Sequence, residues 1–201
     1  MSAEEENRIL SFLRENQIIR PRDLKEINVD RYYFYQLVDE GKIRKIRRGL
    51  YTLPDTEFSE FRDFAEVSKH QPESVICLLS ALQFHEITSQ SPADVWIAIR
   101  HKDRPPKINN IPLRVTRMSG KAFEMGIEVH DIDSVPVQIY SLEKTIADCF
   151  KFRNKIGKGV SIEALNDFIR NDRGSLDTLW RYAKICRVQS LMRPYLEAFT
   201  I

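Results

Sequence analysis

The sequence predicts an α+β protein: an N-terminal winged helix-turn-helix over residues 1–55, then a C-terminal α+β domain over residues 56–201 with a small sheet flanked by helices. Three observations carry this. Residues 4–41 hold three successive apolar stripes at helical spacing. The stretch "GKIRKIRRGLYTLP", Gly41 to Pro54, then splits around Gly49 into two short runs, with five cations between Lys42 and Arg48. Between residues 94 and 140, four short runs rich in Val, Ile and aromatics stand among further helical patterns.

The first helix spans 4–15, "EEENRILSFLRE". Ile9, Leu10, Phe12 and Leu13 form its stripe, and the acidic residues sit where the helix dipole favours them. "IIRPRDLKEIN" predicts a short second helix, with Pro21 in its first turn and Leu24 and Ile27 three apart. Asp30 is the N-cap of a third, in which Phe34, Leu37 and Val38 face inward and Gly41 marks the stop. The hairpin follows, and "LPDTEFSEF" links it to the second domain. There, helices are expected at about 58–70 and 75–87, and strands at 94–100, 113–119, 127–133 and 135–140. Ser141 caps a helix with the stripe Leu142, Ile146, Cys149 and Phe150, and more helices fall near 161–171, 176–187 and 190–199.

At 201 residues and 42% hydrophobic composition the chain can bury a sizeable core. Its 31 basic and 29 acidic residues nearly balance, so an anionic partner must be argued from local clustering. Cys77, Cys149 and Cys186 are far apart in apolar runs, which speaks against a disulfide framework and for the reducing cytoplasm. "MSAEEENRIL" lacks the positive flank and apolar core of a signal peptide, and no apolar run approaches the ~18 residues of a membrane span. The four histidines and three cysteines show no ligand spacing, so no metal or other cofactor is expected.

In a helix-turn-helix the helix after the turn enters the major groove, and a wing reaches a neighbouring groove or the phosphates. With Phe34, Leu37 and Val38 inward, Arg31, Tyr32, Tyr35 and Gln36 lie outward. Arg suits guanine, Gln adenine, and tyrosine hydroxyls phosphate. In the hairpin Ile43 and Ile46 are the anchors, leaving Arg44, Lys45, Arg47 and Arg48 for the DNA backbone. Residues 1–55 carry 11 basic and 10 acidic groups, so the positive potential must be concentrated in the wing.

The segment "IIRPRDLKEINVDRYYFYQLVDEGKIRKIRRGLYTLP", with "VICLLSALQFHEIT", "VPVQIYSLEKTIADCFKFRNKIG" and "RYAKICRVQSLMRPYLEA", resembles the AbiEi-type antitoxins. These are transcriptional regulators of abortive-infection toxin-antitoxin operons. The resemblance implies an N-terminal winged helix that represses its own promoter at inverted repeats in double-stranded DNA. It also implies a C-terminal domain that counteracts a nucleotidyltransferase-like toxin without a stable complex. "RHKDRPPK" (100–107) and "KFRNKIGK" (151–158) are the segments that could add basic surface for DNA, or be solvated loops. Lys144, Asp148, Lys151, Arg153 and Lys155 are the polar positions of the family-like stretch put forward for the antitoxin function.

No catalytic signature is evident, and the expected function is non-enzymatic. "RGSLD" (173–177) superficially resembles a nucleotidyltransferase turn, but no Asp-x-Asp strand follows, and Ser175 reads as a helix cap. The alternative is a winged-helix regulator whose second domain senses a ligand or has a restriction-nuclease-like core. Asp94, Glu128, Asp131, Asp133 and Asp148 would supply carboxylates for a divalent ion, although no Glu-x-Lys pair lies on an expected strand. Asp148 also lies one turn from Lys144, the spacing of an intrahelical ion pair.

Overall fold

In a computed structural model the protein is described over residues 3–90, 92–109 and 111–198. Two compact units emerge. One runs up to Pro72 and takes in Asp131–Val137; the other comprises Glu73–His130 and the chain from Gln138. The sequence suggests a boundary at residue 55, whereas residues 56–72 cluster with the first unit. Charge pairing supplies the physical reason, because Glu66 and Lys69 pair with Arg47 and Asp23.

In the first unit, α1 (Ala3–Asn16) buries Ile9, Phe12 and Leu13. The chain then extends, and Ile19 and Tyr51 exchange two backbone hydrogen bonds of 3.0 Å. The expected second helix is instead one 3-10 helix, Asp23–Ile27. Asn28, left-handed at φ 51, stops it before an α-helical turn can propagate. In α2 (Arg31–Asp39) the Asp30 side chain accepts from the Tyr32 N–H at 2.8 Å, as the cap position predicts. The antiparallel hairpin of β1 (Arg44–Arg47) and β2 (Leu50–Thr52) follows, with Gly49 at φ 79 in its turn. Leu24, Phe34, Leu37, Ile43 and Tyr51 close one apolar core with the α1 stripe. The last helix, α3 (Arg62–His70), begins later than expected.

The second unit departs from expectation at its start. The predicted helix over 75–87 is β3 (Val75–Ile76) followed by α4 (Leu78–Phe84). Val75 and Ile76 pair with Ala98 and Ile97 of β4 (Val95–Arg100), and Ile76 also pairs with Ile139. Two β-branched residues at a sheet centre therefore override a helical stripe. With β5 (Leu113–Met118), β6 (Ile127–Ile132) and β7 (Val135–Tyr140), the five strands run in the order β5-β4-β3-β7-β6. The sheet is mixed, since β3 and β4 are antiparallel while β4 and β5 are parallel. Asp133 and Ser134, at φ 51 and 56, make the two-residue connection between β6 and β7.

A short α5 (Lys121–Glu124), absent from the sequence reading, precedes β6. After the sheet come α6 (Leu142–Lys151), α7 (Arg153–Ile156), α8 (Lys158–Arg170), α9 (Leu176–Cys186) and α10 (Gln189–Glu197). The expected end of the last helix at residue 199 lies outside the described residues. Ser141 and Ser175 cap α6 and α9 as predicted, accepting from Lys144 and Thr178 N–H at 3.4 and 3.2 Å. The α6 helix packs against α4, α8 and α9, so every residue from Lys144 to Phe150 is buried. Among the described residues, no helix is long and apolar enough to cross a membrane.

Candidate nucleic-acid interface

Helical periodicity sets what α2 presents. Phe34 and Leu37 are fully buried and Val38 half-buried, which leaves Arg31, Tyr32 and Tyr35 exposed and Gln36 half-exposed. The Gln36 amide donates to the Tyr32 hydroxyl at 3.2 Å, and the Arg31 guanidinium donates to the Pro21 carbonyl at 3.2 Å. Both long side chains are thus held near the helix surface, and each has donors left over. Two exposed tyrosines on one helix face are unusual for a solvated surface, Tyr32 being 64% accessible. Phe34 packs edge-on against Tyr51 at 5.0 Å, and Tyr35 meets the same ring at 6.3 Å, tying helix to hairpin. Burial, with Tyr35 beside it, raises the Tyr51 hydroxyl above its ordinary pKa.

In the hairpin, Arg44 pairs with Thr52 and Lys45 with Tyr51. A register shift follows, so that Arg47 faces Leu50 and Ile46 is left over. Arg44, Lys45 and Arg48 are exposed, Ile43 is buried and Ile46 half-buried. Arg47 behaves differently: only 22% accessible, it reaches Asp63 at 3.2 Å and also Glu66, which is fully buried and is held by Arg62 at 2.7 Å as well. Arg47, expected among the phosphate contacts, thus has a structural ion pair in the free protein. Lys42 is similarly paired, with Glu6 at 2.5 Å and Glu40 at 3.0 Å.

A recess of about 390 Å³ beside the hairpin turn brings Arg20, Arg22, Arg31, Tyr35, Gly49 and His70 together. Arg20 is held by Asp23 at 3.1 Å, whereas Arg22 is 60% accessible and 4.0 Å from that carboxylate. Arg22 is the cation that sequence reasoning missed; "RPR" hinted at it, but its meeting with Gly49 is a tertiary fact. Burial would raise the Asp23 pKa, yet the Arg20 N–H and guanidinium with the Lys69 ammonium hold it below the usual value. Burial, aided by Arg20, Arg22 and Arg47 against Glu66, lowers the His70 pKa and so disfavours a positive charge there.

The polar residues put forward in the second unit separate into two sets. Lys144 and Asp148 are fully buried and paired with one another, the intrahelical spacing at work, so neither offers surface to a partner. Cys186 donates to Asp148 Oδ1 at 3.1 Å, and the Lys144 ammonium lies 4.0 Å from the Tyr140 ring centroid. Burial raises the Asp148 pKa, with Lys144 opposing. Lys151 and Arg153 are half-buried, Arg153 donating to the Phe150 carbonyl at 3.1 Å, and Lys155 is exposed.

The carboxylates considered for a divalent ion have other partners. Asp94 binds Arg114 at 2.6 Å, Glu128 meets His130 at 3.2 Å, and Asp131 and Asp133 accept from the Ser134 and Ser59 N–H groups. Among the described residues, no three His, Cys, Asp or Glu side chains are grouped to hold a metal ion. In "RHKDRPPK", Arg100 meets Glu124 at 3.3 Å, and the carbonyls of His101 and Asp103 accept from Arg117 at 2.7 Å.

Residues 7–54 match the family model described as "Transcriptional regulator, AbiEi antitoxin", so the resemblance read from the sequence is found again over the helices and hairpin of the first unit. No curated protein matches the chain. Among solved structures, the crystal structure of the RV2827C protein from Mycobacterium tuberculosis is similar at a TM-score of 0.57 and 12% identity, covering 92% of this chain and 77% of that one. At that identity the likeness is one of fold.

Proposed function

We propose that the protein is a non-enzymatic, cytoplasmic transcriptional autorepressor and the antitoxin of a phage-defence operon, acting on a nucleotidyltransferase-like toxin without a stable complex. In this reading α1, the 3-10 helix, α2 and the hairpin form a winged helix-turn-helix. The observation that carries it is the joint exposure of Arg31, Tyr32, Tyr35 and half-exposed Gln36 beside Arg44, Lys45 and Arg48, within the segment that matches a regulator family. Gln36 and Arg31 read base edges from the major groove, while Arg44, Lys45, Arg48 and Arg22 hold the phosphates. Two copies occupy the halves of an inverted repeat. Residues 56–201 carry the antitoxin activity, and Lys151, Arg153 and Lys155 are the accessible positions of the set considered for it.

Binding of the full-length protein to the DNA upstream of its own gene, against a scrambled duplex of equal length, tests the repressor. Preference for the upstream DNA is expected, with Gln36→Ala relaxing it by ~1 to 3 kcal/mol. Equal affinity for both duplexes overturns the repressor reading. Growth of toxin-expressing cells unchanged by co-expression of this chain overturns the antitoxin reading.

A further inference from the structure

The second unit contains a recess of about 630 Å³ in which three cations from three elements converge: Lys121 at the start of α5, Lys151 at the end of α6 and Arg187 after α9. Among the described residues that line it, none is acidic. None of the three cations is ion-paired among the described residues, although elsewhere in the chain such pairs are frequent. Asp148, the carboxylate that interacts with Lys151 and Cys186, is fully buried and engaged with Lys144. Like charges gathered in a concave site repel one another and raise the local attraction for an anion.

The backbone at Arg187 gives a second, independent observation. Arg187 sits in the left-handed conformation, φ 61 and ψ 43, where it closes α9, its N–H bonding the Lys184 carbonyl while the Val188 N–H bonds that of Ala183. Glycine is the residue favoured at such a helix end, since a side chain there is strained. An arginine stands at this point, and it is among the residues that line the recess. Strained backbone of this kind clusters at ligand clamps and active sites.

We propose that this recess binds a diphosphate group, free or carried on a nucleotide. Arginine and lysine together supply forked and point-charge donors to phosphate oxygens. The volume exceeds what a single oxyanion needs and falls in the range of small-molecule sites. Ala122, Ile185 and Cys186 add apolar wall next to the cations. The inference is independent of DNA binding by the first unit.

Calorimetric titration of the full-length protein with inorganic pyrophosphate and with ADP, at ionic strength held with sodium chloride, tests it. One ligand per chain is expected, and Lys151→Met or Arg187→Gly should weaken binding by about tenfold or more, the loss for a charge-assisted contact. Arg187→Gly should leave the melting temperature unchanged or raise it, which separates the lost cation from a lost fold. Tighter binding of ADP identifies a nucleotide as the source, and tighter binding of pyrophosphate a free diphosphate; each supports the site. Heats no greater than those of added chloride, or wild-type affinity in both variants, overturn the proposal. A duplex held through these cations without diphosphate affinity overturns it too.

Discussion

Arg47 and its hairpin neighbours should separate cleanly when replaced. Arg44, Lys45 and Arg48 are exposed, and on the proposed reading each neutralises one phosphate. Each such contact contributes about 0.9 to the slope of log affinity against log salt, so the triple alanine variant should lower the slope by about 2.7. A rise from ~50 to ~200 mM salt spans ~0.6 log units, so the wild type should lose about 40-fold more affinity over that range than the variant does. Arg47→Ala should act on the fold instead. It removes one of the two arginines on fully buried Glu66, whose remaining partner is Arg62 at 2.7 Å. Losing one partner of a buried pair costs about 3–5 kcal/mol, and with Arg62 retained about 2 kcal/mol is expected. For a chain of this length that is a fall in Tm of ~4 to 8 °C. Fluorescence anisotropy with a labelled promoter duplex, over a salt series, and calorimetric melting read the two effects. An Arg47→Ala protein that melts like the wild type and flattens the salt slope as each exposed cation does would refute the structural assignment of Arg47.

Three further predictions concern stability. Lys144→Met strands Asp148 in the core and should cost about 3–5 kcal/mol in urea unfolding, while Lys144→Met with Asp148→Leu should recover most of the loss, because two apolar residues leave no buried charge. Gly126→Ala should cost upwards of ~1–3 kcal/mol, since Gly126 is at φ +77 and an added Cβ would lie 2.8 Å from Lys144 Cβ; chemical denaturation against Gly159→Ala, where the space is open, checks it. Asp23 has a folded pKa held below its unfolded value near ~3.9, so its stabilisation is present above that value and lost as pH falls through the folded one. Asp23→Asn should therefore be less stable at neutral pH and have a shallower acid limb below about pH 4, measured by Tm against pH.

Much of the first unit was legible because its signals are local. A cap such as Asp30, a stripe such as Phe34 and Leu37, and a glycine turn such as Gly49 act over four residues or fewer, within the reach of sequence spacing. The same holds for Ser141 and Ser175, and for the Lys144–Asp148 pair one turn apart. The 3-10 helix in place of a second α-helix shows the limit of this, since five residues closed by a left-handed Asn28 never reach helical propagation.

By itself the sequence determined an α+β chain with a cationic hairpin after three apolar-striped segments, and which face of α2 is outward. Only the tertiary structure decided which charges remain available. Arg47 meets Glu66 nineteen residues on, Cys186 meets Asp148 across 38 residues, and Val75 and Ile76 become a central strand because β4 and β7 lie beside them. It likewise gathered Lys121, Lys151 and Arg187 around one recess. Periodicity and capping report on neighbours along the chain, whereas burial and ion pairing depend on what the folded path brings alongside. A cation's role therefore follows from its partner, which the folded structure supplies.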